Sequence, residues 1–445
     1  MHLLILTPEF AGIGGGIGTF YRALAPALSS AGVKVRVIEG GALHAAEEKA
    51  VRELDGVTVE TLERHRIERW WERFPAFAAA PRLRRHLSAA WAMWEQSGFG
   101  ADADVVEASD WGLLFVPGAI NAVRPLIVQC HGSIGQISLH DPIAGEEMQG
   151  VLTRLLERAV MPMATTAQTY SNANADFWSE EAGREVAMIR PAWKTAKPNA
   201  TLVPVDRGLV VGRVQRWKGP QVVCAAIERL GARAPLLDWV GRDTAWHTCN
   251  GSAIAHLRCV YSDVWGEKIL HHPQMLAAEV ARRQAAALFN LVPSTWDVFN
   301  FTAIEAMASG RPTIVSNGAG ASELIEDGVN GYLFQAGDAD ALAAALERVL
   351  CEKPDRLVRV GRAGQETVCA SLDPQAIAAQ RLAAYRDAID AFAARPPARA
   401  TGWIGEICRP SQPSGQSDMA FLEHLPLRGL AAHVAERVSR RILSR

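Results

Sequence analysis

The sequence predicts an α/β protein built from two doubly wound domains and a helical C-terminal extension. Short, fully apolar runs alternate with helix-like segments, a pattern typical of parallel sheets that are buried on both faces. The alternation stops in a proline-containing stretch at residues 190–206 and then starts again. At 445 residues and 49% hydrophobic composition, the chain is long enough for two separate cores.

The positions of the apolar runs set the expected domain boundaries. The first half predicts a Rossmann-like domain over residues 1–195, and the second half predicts another Rossmann-like domain over residues 205–375. Residues 376–393 read as an apolar-periodic helix that we expect to return to the N-terminal domain. Residues 394–445 are a Pro/Ser-rich tail that ends in a basic amphipathic helix.

Composition excludes several classes of function. A formal net charge of -2 gives no reason to expect a nucleic-acid partner. The seven cysteines are odd in number and contain no CxxC pair, which favours reduced thiols and a cytoplasmic location. The opening "MHLLILTPEF" has too short an apolar run for a signal peptide, and no later stretch approaches the roughly 18 apolar residues of a membrane span. Any membrane contact is therefore expected to be peripheral.

A glycine loop follows the first apolar run, in "PEFAGIGGGIGTF", with Gly14, Gly15, Gly16 and Gly18 between a strand and a helix. Residues without side chains allow backbone to approach a phosphate or sugar, and the following helix aims its positive N-terminus at an anion. A tight turn without a ligand is the alternative. A dinucleotide fingerprint, which would indicate an NAD-dependent oxidoreductase, has Tyr21 where its third glycine belongs.

Two cations mark the loop after the first strand of the second domain, in "VVGRVQRWKGPQ". Arg213 and Lys218 lie five residues apart, and Gly219 and Pro220 then open a helix. A guanidinium fork, an ammonium group and a helix terminus together suit a diphosphate. A solvated surface loop is the alternative interpretation of this segment taken alone.

Two carboxylates stand eight residues apart in "STWDVFNFTAIEAMASGRPTIVS". Asp297 follows a buried strand, and Glu305 lies early in a helix, so both belong to the carboxyl edge of the sheet, where open α/β sheets bind ligands. Glu305 would accept hydrogen bonds from vicinal hydroxyls such as those of a ribose. Taken singly, each residue also suits a capping or first-turn role.

The three segments in this order resemble the retaining, nucleotide-sugar-dependent glycosyltransferases of family 4, which have the GT-B fold. "GAGASELIEDGVNGYLF" further along the chain agrees with this resemblance, which covers most of residues 1–393 and is strongest over residues 208–334. The resemblance implies that Arg213 and Lys218 hold the donor diphosphate and that Glu305 holds the ribose. It places the acceptor on the domain of residues 1–195 and the nucleotide sugar on that of residues 205–375, and it implies no cofactor and no metal. We expect a UDP-sugar as donor, with a GDP-sugar as the next choice, although the identity of the donor cannot be copied from the family.

The same resemblance assigns the sugar end of the donor site. The first acid of the family pair lies against the transferred sugar, and here it is Asp297, one methylene shorter than the usual glutamate. Backbone amides of Phe299, Asn300 and Phe301 would contact that sugar, although family members usually have glycine at the position of Asn300. These two departures leave a nucleotide-sugar-binding protein without transferase activity as an alternative.

Candidates in the first domain come from strand ends. His131 follows the buried run "PLIVQC" and, by resemblance, lies near the donor sugar and acceptor, so we group it with Asp297, Arg213 and Lys218 as catalytic; a purely structural histidine is the alternative. Asp110 and Trp111 follow another strand and would contact the acceptor hydroxyl compound.

The C-terminal segment 427–445 predicts a short amphipathic helix. Its apolar residues fall on one helical stripe and its five arginines lie largely off that stripe. This pattern suits an anionic membrane surface. Docking onto the protein's own surface or onto a partner subunit explains the same pattern equally well.

Overall fold

The computed structural model describes residues 1–11, 15–142, 145–194, 205–246, 251–394, 407–410 and 426–443. Two sheets, each flanked by helices, confirm the predicted class of two doubly wound α/β domains. Gly14, much of the predicted linker, and most of the Pro/Ser-rich tail with Arg445 lie outside the described residues.

The N-terminal domain contains an eight-stranded sheet in the order β3-β4-β2-β1-β5-β6-β7-β8, parallel except for the antiparallel pair β3 and β4. Its elements are, along the chain, β1 (His2–Thr7), α1 (Gly16–Ser30), β2 (Lys34–Glu39), β3 (Val51–Leu54), β4 (Val57–Thr61), α2 (Arg64–Trp71), α3 (Pro81–Gln96), β5 (Val105–Ser109), α4 (Val116–Asn121), β6 (Leu126–Gln129), α5 (Ile134–His140), α6 (Glu147–Val160), β7 (Thr166–Thr169), α7 (Asn172–Ala182) and β8 (Ala187–Met188).

Strand β1 shows why the first sheet is buried on both faces. Leu3 and Ile5 belong to the core cluster that α1 helps to form, whereas Leu4 and Leu6 belong to the cluster under α3 and α4. Because alternate side chains of a strand point to opposite faces, an unbroken apolar run supplies both cores at once. The continuous "LLIL" run is therefore explained by helices on both sides.

The C-terminal domain contains a six-stranded parallel sheet in the order β13-β10-β9-β14-β15-β16 and a two-stranded antiparallel ribbon, β11 with β12. Its elements are β9 (Gly208–Val211), α8 (Pro220–Leu230), β10 (Leu237–Val240), β11 (Ala245–Trp246), β12 (Gly251–Ser252), α9 (Ala253–Val260), β13 (Ile269–His272), α10 (Ala277–Ala286), β14 (Asn290–Val292), α11 (Phe301–Ala308), β15 (Thr313–Ser316), β16 (Tyr332–Phe334), α12 (Ala339–Cys351) and α13 (Pro354–Ser371).

A long helix then crosses from the second domain to the first. Helix α14 (Pro374–Ala394) packs along α1 and also contacts β5 and β6. Its buried residues include Ile377, Arg381 and Tyr385. The chain therefore ends its second domain and returns to cover the first sheet.

The described parts of the tail fall into two pieces. Ile407 and Cys408 are buried in the N-terminal core, where the indole nitrogen of Trp91 donates a hydrogen bond to the carbonyl of Cys408 (3.0 Å). Helix α15 (Leu427–Leu443) follows. In the described part of the chain, no helix is both long and apolar enough to span a bilayer.

Candidate active site

The carboxyl ends of the two sheets meet across one cleft. Each sheet has a point where the strand order reverses, between β1 and β5 in the first sheet and between β9 and β14 in the second. Open α/β sheets bind ligands at such switch points. The loops after β6 and β7 of the first sheet touch the loop after β14 of the second: a side chain at Gly132 would come within 3.1 Å of Val298, and the Ser171 hydroxyl donates to the carbonyl of Val298 (2.7 Å). The cleft is therefore bordered by both domains.

Lys218 and Asp297 form an ion pair in this cleft. The loop carrying Lys218 docks directly on the loop carrying Asp297, since the amide of Thr295 donates to the carbonyl of Trp217 (2.8 Å). Gly219 makes this approach feasible: its φ is 77°, and a Cβ there would lie 2.0 Å from the carbonyl oxygen of Pro293. The ammonium and the carboxylate are only 18% and 14% exposed, so tertiary packing holds the pair together.

Arg213 lies beside this ion pair, at the end of β9. Its guanidinium is 5.9 Å from the centre of the Trp217 ring, and the Lys218 ammonium is 4.5 Å from the same ring. Burial, and then the neighbouring Arg242 charge, lowers the pKa of Arg213, while nearby carboxylates including Asp297 act in the opposite direction. An indole thus orients two cations toward one space, as a diphosphate requires.

The loop after Asp297 is held by a second glycine-containing loop. The Asp297 amide donates to the carbonyl of Gly318 (2.9 Å), and the Gly320 amide donates back to the carbonyl of Asp297 (3.0 Å). A Cβ at Gly320 would lie 2.2 Å from the carbonyl oxygen of Val298, so only glycine fits there. The "GAGASE" segment therefore serves to fix the backbone beside the ion pair.

The local structure explains how asparagine is accommodated at position 300, where family members usually have glycine. The φ of Asn300 is 76°, in the left-handed region that asparagine tolerates better than most residues. Its side-chain amide donates to the Ser294 hydroxyl (2.9 Å), which anchors the strained residue to the end of β14. Among the described residues, the backbone amides of Phe299, Asn300 and Phe301 have no hydrogen-bond partner, so the start of α11 offers free donors.

Glu305 lies one turn into α11, and no described residue forms a hydrogen bond or an ion pair with its carboxylate. Burial raises the pKa of this carboxyl from 4.5 to about 7, although the Arg22 charge opposes the shift. A desolvated carboxylate without a partner is costly and therefore favours a ligand that donates hydrogen bonds.

The glycine loop already holds an anion from the chain itself. A Cβ at Gly15 would lie 2.0 Å from a carboxylate oxygen of Glu9, and the Gly18 amide donates to the same oxygen (3.3 Å). Gly16 faces Phe301 across the cleft, where an added Cβ would be 3.5 Å from the ring. Gly15 and Gly16 thus border the site. The carboxylate of Glu9, however, occupies the N-terminus of α1, where the sequence predicted a phosphate.

His131 lies in an aromatic cluster of the N-terminal domain. Its Nδ1 is within hydrogen-bonding distance of the Tyr170 hydroxyl, and its Nε2 is 3.4 Å from the Tyr21 hydroxyl. Burial, and then the charge of Arg381, lowers the pKa of the imidazole well below 6.5. The ring is therefore neutral, with each nitrogen next to a tyrosine hydroxyl, and it remains a candidate through its place beside Gly132.

The structure corrects the expectation for Asp110. Its carboxylate is fully buried and accepts hydrogen bonds from the amides of Trp111 (2.7 Å), His131 (2.9 Å) and Gly132 (3.3 Å). Burial raises the pKa of this carboxyl to about 7. Asp110 therefore organises the His131 loop and is not available to an acceptor. Trp111 is partly exposed in a shallow pocket with His44 and remains an acceptor candidate.

An aromatic bridge across the cleft escaped the sequence analysis. The rings of His140 and Trp296 stack at 4.1 Å with an interplanar angle of 7°, and Trp296 lies 5.3 Å from Trp217. Next to this stack, the Gln215 side chain donates to Asp141 (2.5 Å). The one available signal in the sequence is that Trp296 directly precedes Asp297. No local sequence pattern predicts that Trp296 contacts His140, which lies in the other domain.

A second cross-domain contact was also missed. The Glu323 carboxylate accepts hydrogen bonds from the amides of Asn172 (3.1 Å) and Ala173 (3.2 Å), at the start of α7 in the other domain. This acid of the "GASE" segment therefore stabilises a helix N-terminus across the domain boundary. In the described ranges, no three His, Cys, Asp or Glu residues are grouped so as to hold a metal ion.

Solved structures share this two-domain architecture. Sucrose-phosphate synthase from Thermosynechococcus elongatus superposes with a TM-score of 0.65 at 22% sequence identity, covering 89% of this chain and 100% of that chain. Anabaena HepE in complex with UDP-glucose gives a TM-score of 0.62 at 17% identity, covering 87% and 100%. At these identities the likeness establishes the fold, which is GT-B.

The sequence relationships define the family. Residues 14–196 match the family model described as Glycosyltransferase Family 4, and residues 206–352 match the one described as Glycosyl transferases group 1. Together the two ranges cover most of the chain. The chain belongs to glycosyltransferase family 4.

Curated relatives match over part of their length. The D-inositol 3-phosphate glycosyltransferase of Arthrobacter sp. strain FB24 is 30% identical over 254 residues, which are 54% of this chain and 58% of that protein. The chain spans about half the length of the first curated relatives it matches.

Proposed function

We propose that this protein is a retaining glycosyltransferase that moves a sugar from a nucleotide diphosphate sugar to a hydroxyl group of an acceptor. The observation that carries the proposal is the cleft arrangement of Arg213, the Lys218–Asp297 ion pair and the unpartnered Glu305. Cations for a diphosphate and a carboxylate for a ribose stand on adjoining loops of one domain. The glycine start of α1 faces them from the other domain.

The charges determine how the leaving group would be stabilised. When the bond between the anomeric carbon and the phosphate oxygen breaks, the electron pair stays on that oxygen and adds negative charge to the diphosphate. Arg213 and Lys218 would stabilise this charge, and fixed cations of this kind act without reorganising in the transition state. The Trp217 ring between them keeps both groups in place.

The sugar end would carry the opposite charge. As the sugar becomes cation-like, the carboxylate of Asp297 stabilises it from nearby and the amides at the start of α11 hold its hydroxyls. The acceptor oxygen attacks from the face that the diphosphate leaves, and its proton passes to the departing phosphate oxygen. Asp297 is therefore given a positioning and charge-stabilising role, without a covalent intermediate.

A UDP-sugar is the favoured donor and a GDP-sugar is the next choice. The complex of Anabaena HepE with UDP-glucose and the relatives named as D-inositol 3-phosphate glycosyltransferases support this order. The acceptor would be a hydroxyl of a glycan, of a lipid-linked precursor or of a small molecule in bacterial-type glycan biosynthesis. Trp111, near the cleft, is the candidate for acceptor contact.

Calorimetric titration with UDP, GDP, ADP and NAD, followed by assays of nucleotide release from the corresponding sugars, tests the proposal. We expect one nucleoside diphosphate to bind and Lys218→Met to weaken it by about 1–3 kcal/mol, the size of a lost charged hydrogen bond. Lys353→Met, at an exposed lysine, is the matched control and should change nothing. Binding of NAD alone, or equal effects of both substitutions, would refute it.

We also propose that α15 attaches the protein to an anionic membrane surface. Leu427, Val434 and Val438 share one helical face and are 81%, 52% and 52% exposed. Four arginines against one glutamate lie within the helix, which gives it charge complementary to anionic lipids. Most helices in proteins owe their stability to packing of an apolar face, so a covering surface would stabilise α15.

Co-sedimentation of the full chain with vesicles tests this attachment. We expect binding to phosphatidylglycerol-containing vesicles, little binding to pure phosphatidylcholine, and loss of binding in Val434→Asp. Ala432→Asp makes the same charge change at an exposed position off the apolar face and should retain most of the binding. If both substitutions act equally, or if binding ignores lipid charge, docking on protein becomes the better explanation.

A further inference from the structure

A buried polar network connects α14 to the centre of the first domain. Arg381 is completely buried; it donates to the side chain of Gln129 (2.5 Å) and lies 3.7 Å from the carboxylate of Glu107. The Tyr385 hydroxyl donates a hydrogen bond to the same Glu107 carboxylate (2.7 Å). One helix of the extension thus places a cation under the carboxyl ends of β5 and β6.

This network stands directly beneath the aromatic cluster around His131. The Arg381 guanidinium is 5.1 Å from the centre of the Phe20 ring, and that ring lies 5.4 Å from the His131 ring and 5.0 Å from that of Tyr170. Tyr21, the neighbour of Phe20, faces the His131 Nε2. The buried cation and the cleft histidine are therefore separated by one layer of aromatic rings.

The charge of Arg381 is only partly neutralised. Its Nε and Nη2 atoms are buried and have no hydrogen-bond partner among the described residues, and the ion pair with Glu107 is long. A buried charge acts over a longer range than an exposed one because little solvent screens it. Its field therefore reaches His131 and opposes a second positive charge there.

We propose that Arg381 is a positioning residue that keeps His131 uncharged and oriented at the cleft. Its functional consequence rests on the proposed transfer reaction: a cation-like sugar would be destabilised by an imidazolium next to it, so the histidine must remain neutral. The tyrosine hydroxyls on both ring nitrogens then fix the orientation of the neutral ring. Direct contact of Arg381 with substrate is not part of this role.

The direction of the effect depends on every charged or titratable group around the histidine. Arg381 opposes protonation, whereas Glu107 and Asp110, when ionised, favour it. The groups that face His131 or its loop come from five elements: Tyr21 on α1, Glu107 on β5 and Asp110 after it, Cys130 after β6, Tyr170 after β7, and Arg381 and Tyr385 on α14.

Histidine titration by NMR, without substrate, is the decisive experiment. With 13C-labelled histidine, the His131 signal is assigned from its absence in His131→Gln. In Arg381→Met we expect the midpoint of His131 to move up by about one pH unit or more, the effect of one buried charge at an effective dielectric of about 20. Arg381→Lys, which retains the charge, should shift the midpoint far less.

Two isosteric variants guard against misfolding as an explanation. Gln129→Glu adds a compensating negative charge next to Arg381 and should raise the titration midpoint of His131. Glu107→Gln removes a negative charge and should leave the His131 midpoint at or below its wild-type value. Structural loosening would move both in the same direction. An unchanged midpoint in Gln129→Glu and Arg381→Met overturns the proposal, and Gln129→Glu alone decides if Arg381→Met does not fold.

The pH profile of turnover then separates this inference from the function on which it rests. If the protein transfers sugar, the acid limb of kcat/KM should move to higher pH in Gln129→Glu together with the NMR midpoint. Absence of any transfer would refute the proposed function while leaving the titration result intact.

Discussion

Glu305 should make the affinity for the donor depend on pH. Its carboxyl has a pKa of about 7 in the unliganded protein, and only the ionised form is a strong acceptor for two ribose hydroxyls. If the ionised form alone binds, the affinity at pH 6 should be about tenfold lower than at pH 8. Glu305→Gln keeps the size of the side chain and removes the titration, so its affinity should be lower at pH 8 and independent of pH.

Calorimetry with a UDP-sugar between pH 6 and pH 8 measures this dependence. The sugar nucleotide is preferred to UDP because its terminal phosphate is esterified and does not titrate in this range. Glu185→Gln, at an exposed glutamate, is the control and should reproduce the wild-type curve. An equal pH dependence in Glu305→Gln and wild type would show that another group titrates and that the ribose assignment is wrong.

The same carboxyl should also cost stability in the absence of ligand. Its folded-state pKa is raised above 4.5, so the folded protein loses stability as pH rises from about 4.5 to about 7. Two and a half pH units correspond to about 3 kcal/mol, which is an upper bound because the group is partly solvated. Glu305→Gln should therefore raise the free energy of unfolding in urea at pH 8 and have a smaller effect at pH 5.

Three further substitutions test the site. Lys218→Met should lower kcat about 10²–10³-fold by removing a fixed cation and leaving Asp297 unpaired; a loss below about tenfold in initial-rate assays would contradict its role. Asn300→Ala should lower the free energy of unfolding by about 2 kcal/mol, because alanine is strained at a positive φ and the buried hydrogen bond of the Asn300 side chain is lost. Asn300→Gly should lower it by less than half of that amount. Equal losses of the two variants in urea titrations would contradict this expectation. His140→Ala should shift tryptophan emission to longer wavelength by exposing Trp296, and Trp296→Phe should abolish the shift.

Much of the fold follows from local sequence because its pattern repeats along the chain. Continuous apolar runs such as 3–6 and 209–211 require helices on both faces of a parallel sheet, and the strand ends then identify where a ligand binds. Asp110 shows the limit of this reasoning. A polar residue after a strand predicts a site at the sheet edge, but only its burial and three backbone donors reveal that it serves the neighbouring loop.

By itself the sequence determined the class of fold and the family, and it predicted Arg213, Lys218 and Glu305 as donor-side residues, because short motifs encode the segments that carry them. Only the tertiary structure decided which groups meet across the cleft. The stack of His140 on Trp296 and the position of Arg381 beneath His131 both join segments far apart in the chain. Their contacts depend on how two domains and a returning helix pack, and packing of distant segments has no local sequence period from which it could be predicted.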